Sequence, residues 1–279
     1  MKQETLKRIP LRANPFKDLP PRILAVVSVL FLVQFTMVWL NLWTGVPGFG
    51  NARWPEGLLL VLCAGAVVTA AARQLPGQNI MLAGTIIVLI SGTAHTLGAI
   101  TAIPFGPYVY TDRIGQVLFH PLPWTIPLIW LVTILCARGV ARLIMRPWRK
   151  TRSYGFWVMG VTVGLVLVLD VGLEPFATQV KHYWRWNPTN AGLFWYTTPW
   201  VNFLGWAATA VMILAFATPA MINKKPGNPP PDFYPLGIWV LVNALFLTGA
   251  VSHHLWLATG LIAAGIIATT VLAIRGGTW

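Results

Sequence analysis

Eight stretches of this 279-residue chain are apolar for nearly the length a helix needs to cross a bilayer, about 20 residues. They cover residues 23–42, 57–74, 80–101, 123–144, 155–174, 201–222, 235–251 and 254–274. Inside hydrocarbon no water is at hand for backbone amides, so each run must satisfy its own polar groups as a helix. The expected fold is all-α: a polytopic membrane helix bundle of about eight transmembrane helices. At 56% hydrophobic and 10% charged residues, a soluble domain is excluded. The break between the last two runs rests on Ser252-His253-His254 alone, so seven spans with a re-entrant end is the competing count.

The basic residues weigh in on that count. In an eight-span arrangement only Arg53, Arg113, Lys181 and Arg185, of 20 Lys and Arg, face the side opposite the N-terminus. The positive-inside rule then predicts both termini in the cytoplasm of a multi-pass cell-membrane protein. Dropping one span would scramble the asymmetry. The net charge of +13 is explained by topology and anionic lipid rather than by nucleic acid, so no nucleic-acid partner is expected. Residues 1–22 read as a basic cytoplasmic segment and 23–279 as a single integral-membrane domain. The first run is too long for a signal-peptide core and lacks a small-residue cleavage site, so it is expected to be retained. A Pro-rich linker, Pro226 to Pro231, joins the sixth and seventh runs. Gly160 and Gly164 form a small-xxx-small pair that predicts close helix contact. Cys63 and Cys136 fall within spans and read as small buried hydrophobes.

Only seven acids occur, and two of them, Asp170 and Glu174, end the fifth run one helical turn apart. Ionisable groups inside a membrane helix are costly and usually serve a site. The i, i+4 spacing puts both on one face, and Pro175 is expected to end the helix. The bland rival is an ion pair with Arg185, Lys181 or Arg113. The predicted topology gathers other proton-transfer candidates at the same outer end: His95 in the third run, Asp112 after it, His253 and His254 between the last two, and Glu56 at the start of the second. Aromatic residues crowd there too. Phe105, Tyr108 and Tyr110 follow the third run; Tyr183, Trp184, Trp186, Phe194, Trp195, Tyr196 and Trp200 follow the fifth; Trp206 lies in the sixth. They form either an interfacial belt or the lining of an apolar ligand pocket. Asn202 either caps the sixth helix or holds a carboxyl.

Four motifs carry a resemblance. Pro104-Phe105-Gly106-Pro107-Tyr108-Val109-Tyr110, running on through Thr111-Asp112-Arg113-Ile114-Gly115, is similar to the Pro-Phe-Gly-x-Tyr-x-Tyr signature of the membrane carotenoid-biosynthesis family, which includes hydratases of γ-carotene and bisanhydrobacterioruberin. Asp170-x-x-x-Glu174-Pro175, Tyr183-Trp184-Arg185-Trp186 and Asn202-Phe203-Leu204-Gly205-Trp206 resemble its later motifs, in the same order. The likeness covers about residues 80–220. It departs at Tyr196-Thr197-Thr198-Pro199, where a Tyr-Gly-Val-Pro-like stretch is expected, and this puts substrate identity in question more than reaction class.

The resemblance implies cofactor-free addition of water to the terminal double bond of a linear carotenoid. A neutral carboxylic acid would protonate the less substituted alkene carbon, aromatic faces would stabilise the tertiary cation, and a second carboxylate or a His would take a proton from water. Two carboxyls held close and out of water resist double ionisation. Asp170, the deeper, is expected to be the acid and Glu174 its partner, or the reverse, with Asp112 and His95 as further catalytic candidates. Substrate contact is expected from Phe105, Tyr108, Tyr110, Trp184, Trp186, Trp195, Trp200, Asn202 and Trp206. Expected partners are the carotenoid, membrane lipid and other enzymes of the pathway; no metal or cofactor is expected. The clustered His of di-iron membrane oxygenases, an aspartate-rich Mg²⁺–diphosphate motif and an intramembrane Schiff-base Lys are all missing. Bis-His haem ligation through His95 and His253 is a remote reading. The non-enzyme alternative is a carotenoid- or lipid-binding membrane protein, which would need the aromatic pocket but not the paired acids.

Overall fold

The computed structural model describes residues 19–45, 54–187, 192–222 and 230–279, with side chains from residue 21 onward. The basic residues before 18, Arg53, Lys224, Lys225 and most of the Pro226–Pro231 linker lie outside the described residues. Eight helices are long and apolar enough to cross a membrane. They are α1 (Leu19–Thr44), α2 (Trp54–Ala72), α3 (Gly77–Thr101), α4 (Thr125–Ile144), α5 (Tyr154–Pro175), α6 (Trp200–Ala217), α7 (Tyr234–Ser252) and α8 (Trp256–Gly277). The break after α7 is real: His254 takes a left-handed conformation (φ +57°) before α8 begins.

Helix α4 is the axis. It packs on α2, α3, α5, α7 and α8, and 67% of its apolar window is buried against 22–50% for the other helices. One expectation needs correction and one needs extension. Gly160 and Gly164 have nothing within 4 Å of where a Cβ would stand, so this pair faces away from the bundle and α5 packs through its other faces. Pro175 does end the α-helical part of α5 as expected, but a π-helical turn, Phe176–Val180, carries the helical course one turn further. Proline lacks the N–H that would bond the carbonyl four residues back. That carbonyl, on Val171, instead accepts from the Trp195 indole at 3.0 Å, which removes the cost of leaving it bare.

All of the described strands lie at one end of the bundle, as three short antiparallel pairs. β1 (Tyr108–Tyr110) pairs with β4 (Trp184–Trp186), β2 (Val117–Phe119) with β3 (Leu122–Pro123), and β5 (Phe194–Trp195) with β6 (Thr198–Pro199). The first pair joins two motifs that lie far apart in sequence, in the register Tyr108↔Trp186, Val109↔Arg185, Tyr110↔Trp184. Side chains alternate along a strand. Val109 and Arg185 are therefore exposed, whereas the two tyrosines and two tryptophans turn inward over the helix ends. Phe105 anchors this cover, fully buried between α3 and α6. A Cβ on Gly98 would meet its ring at 2.6 Å and one on Gly205 at 2.5 Å, so both helices are cut back to admit it.

Candidate active site

Asp170 and Glu174 are 0% and 1% exposed, on the α5 face turned toward α6. Asn202, in the first turn of α6, reaches both: its Nδ2 donates to Asp170 Oδ2 at 3.2 Å and to Glu174 Oε1 at 2.9 Å. One amide thus uses its two N–H bonds on two carboxyls, and it caps no helix, since α6 is preceded by Pro199 without a side-chain cap. Glu174 Oε2 accepts three more bonds, from Trp184 Nε1 (3.1 Å), Trp186 Nε1 (3.1 Å) and Thr198 Oγ1 (2.8 Å). Among the described residues, Asp170 Oδ1 has no hydrogen-bond partner and no cation pairs with either acid. Lys181 pairs instead with Glu56 at 2.6 Å and Arg185 lies on the exposed side of β4, so the ion-pair reading is overturned.

Beside Glu174 lies a second polar cluster. Trp130 Nε1 donates to His95 Nε2 at 2.7 Å, which requires Nε2 to be unprotonated and puts the ring proton on Nδ1. From there His95 donates to the Tyr110 hydroxyl at 2.9 Å, while the Tyr108 hydroxyl donates to the His95 carbonyl at 3.1 Å. Burial pushes the Tyr110 hydroxyl well above the usual tyrosine range, with Tyr108 and Glu174 pushing the same way, so it stays an O–H donor. Burial also raises Tyr108. The rings pack face to face: His95 on Phe105 at 4.3 Å and Trp130 on Trp206 at 4.4 Å, both pairs 22° from parallel.

Glu174, Asn202, His95, Phe105, Tyr108, Tyr110, Trp184, Trp186 and Trp206 all border one cavity of about 20 Å³, closed by Trp130 and by Ile126, Ile129 and Leu173. A water needs about 10–15 Å³ measured this way, so the cavity has room for one. An apolar cavity of about 160 Å³ lies between α1, α2, α4, α5 and α7 and shares two wall residues with the first, Ile129 and Leu173. Cys63 and Cys136 line it too, both buried and free.

Of the residues expected from sequence to catalyse or to contact substrate, four stand apart from this cavity. Asp170 sits one turn behind Glu174 and joins it only through Asn202. Asp112 is exposed in a 3-10 turn, Asp112–Ile114, capped by Thr111. Trp195 serves the Val171 carbonyl, and Trp200 is 53% exposed against Phe203. His253 and His254 are exposed on the turn before α8, away from His95. Sequence reasoning missed Trp130 and Thr198. An indole in mid-span needs an acceptor, and His95 in another span was the visible candidate. Thr198 sits in the one stretch that departs from the expected motif, and that departure places a hydroxyl on Glu174.

Residues 56–274 match the family described as carotenoid biosynthesis protein. No curated protein and no solved structure matches the chain.

Proposed function

Since the chain belongs to the carotenoid biosynthesis protein family, we propose that it adds water across the terminal C1,2 double bond of a linear carotenoid end group, giving a tertiary alcohol. The observation that carries this reading is a buried carboxyl, Glu174, on the wall of a cavity the size of one water and lined by aromatic side chains.

Glu174 Oε1 accepts one hydrogen bond where an sp² oxygen has two lone pairs, so one position is open for a proton. Transfer of that proton to the less substituted alkene carbon leaves a tertiary cation. Trp130, Trp184, Trp186 and Trp206 line the cavity, and an aromatic face turned to the cation would be worth about 0.5–2 kcal/mol. Water then bonds to the cationic carbon and gives one proton back to Glu174, so the acid is regenerated and no electrons are exchanged. The four donors around Glu174 stabilise the carboxylate while its proton is away. Asp170, behind Asn202, is a positioning residue in this scheme: it holds the amide that holds Glu174.

The apolar cavity beside Leu173 is the proposed seat of the end group. Its size is close to the roughly 150 Å³ that takes up a benzene-sized guest, so it suits one end of a polyene and not the whole chain. Reaching Glu174 from it requires Leu173 and Ile129 to turn aside.

The test uses membranes of a lycopene-accumulating host that expresses the protein, incubated without oxygen, with chelator, in H₂¹⁸O. Pigment should gain one water per modified end, with ¹⁸O in the new hydroxyl. Dependence on O₂, or label arriving from ¹⁸O₂, would sink hydration. Unchanged pigment that co-purifies with the protein would favour the binding alternative.

A further inference from the structure

At the end of the bundle opposite the carboxyls lies a larger cavity, about 420 Å³, between α2, α4, the start of α5 and α7. Its polar wall is strongly one-signed. Arg138 and Arg142 lie one turn apart on α4, Arg146 opens the 3-10 turn that follows it (Arg146–Trp148), and Arg149 and Lys150 come just beyond. The only carboxylate among the described lining residues is Asp232. It is already engaged: Arg73 Nη2 donates to both of its oxygens at 3.0 and 2.9 Å, Gln74 Nε2 donates at 2.7 Å and the Tyr234 amide at 3.0 Å.

Like charges one turn apart on a helix repel, and the repulsion grows where water is scarce. Such a row persists where an anion answers it. Among the described residues, Arg138 donates to the Met221 carbonyl (2.9 Å) and Arg142 to Gln74 (3.1 Å), while each guanidinium has five N–H donors in a planar fork. That fork matches phosphate oxygens in pairs. The deeper wall is apolar, with Val67, Leu135 and Met221, so it can take hydrocarbon next to the charged head.

We infer that this cavity binds a phosphate-bearing anion, held by Arg138 and Arg142 with Lys150 at the rim. Basic pockets between membrane helices on the cytoplasmic side take anionic headgroups, and the basic end is the one the charge bias places there. The same chemistry would hold a free phosphate or diphosphate. The site is independent of the hydration scheme and stands or falls without it.

Thermal unfolding of the full-length protein, purified in neutral detergent, separates the sources. One arm adds phosphatidylglycerol, with phosphatidylcholine as control; another adds inorganic pyrophosphate, with sodium chloride at matched ionic strength. A phosphate site raises Tm in at least one arm over its control. Arg142→Gln should weaken the midpoint for that probe about tenfold or more, and Lys150→Gln, an exposed position, by a smaller factor. A shift with lipid only identifies a headgroup site, whereas a shift with pyrophosphate that phosphatidylglycerol does not add to identifies a soluble anion. No shift above control in either arm overturns the inference. So does a shift that both variants retain at unchanged midpoint.

Discussion

Among the described residues, four side chains aim an N–H or O–H at Glu174 and one at Asp170, and of the two acids Glu174 alone reaches the cavity. The two acids, alike in sequence, are therefore unequal in place. Glu174→Gln should lower hydration by about 10²–10⁴-fold, the usual loss for a general acid or base, with membrane levels of the protein unchanged. Asp170→Asn should lose less, because it alters only the far side of Asn202. Pigment conversion normalised to immunoblotted protein measures both. A larger loss in Asp170→Asn than in Glu174→Gln would exchange their roles. Most of this neighbourhood could be read from sequence: i, i+4 spacing pointed to the acid pair, and the aromatic clustering and motif resemblance pointed to Tyr108, Tyr110, Trp184 and Trp186, though the strands that turn them inward were not foreseen. Trp130 and Thr198 could not be. Their function is to donate to acceptors far along the chain, and nothing local distinguishes such a Trp or Thr from its apolar or loop neighbours. Asp112 and Trp200 entered by the converse error, nearness in sequence to residues that do line the cavity.

The elements show how a local rule yields to a distant partner. Proline is read as a helix stop because it strips the carbonyl four residues back of its donor, yet the helical course survives here because Trp195, 24 residues beyond Val171, replaces that donor. Trp195→Phe should strand the carbonyl and cost about 1–3 kcal/mol, the range for a buried acceptor left unpaired. Pro175→Ala restores an N–H at the right place, so it should recover part of that loss in the double variant. Thermal unfolding of the four proteins in detergent gives the coupling; strictly additive effects would show that the indole is not standing in for the missing amide. The Gly160–Gly164 pair fails for a related reason. A small-residue spacing says that a close approach is possible, while the partner surface is set by the rest of the bundle. Gly205 is the counter-case: its use became visible only with Phe105 wedged beside it.

At the scale of the whole molecule, the eight spans were legible to within a few residues at most ends, because bilayer thickness imposes a length that apolar runs must meet. Which residues meet across spans was not legible, since low-period hydrophobicity carries no register between helices. The bundle has two unlike ends: paired acids, strands and aromatic cover at one, the arginine row at the other. Positive-inside bias predicts that the arginine end is cytoplasmic and that the carboxyl end faces away from it. Single cysteines at exposed Asn187 and exposed Ser153 test this, and the native Cys63 and Cys136 are buried enough to give little background. A membrane-impermeant maleimide on intact cells should label Asn187→Cys and leave Ser153→Cys unlabelled until the cells are permeabilised. The reverse pattern would turn the molecule over. Water would then reach the Glu174 cavity from the cytoplasm, and the arginine row would face the leaflet poorer in anionic lipid, leaving a soluble phosphate as its better ligand.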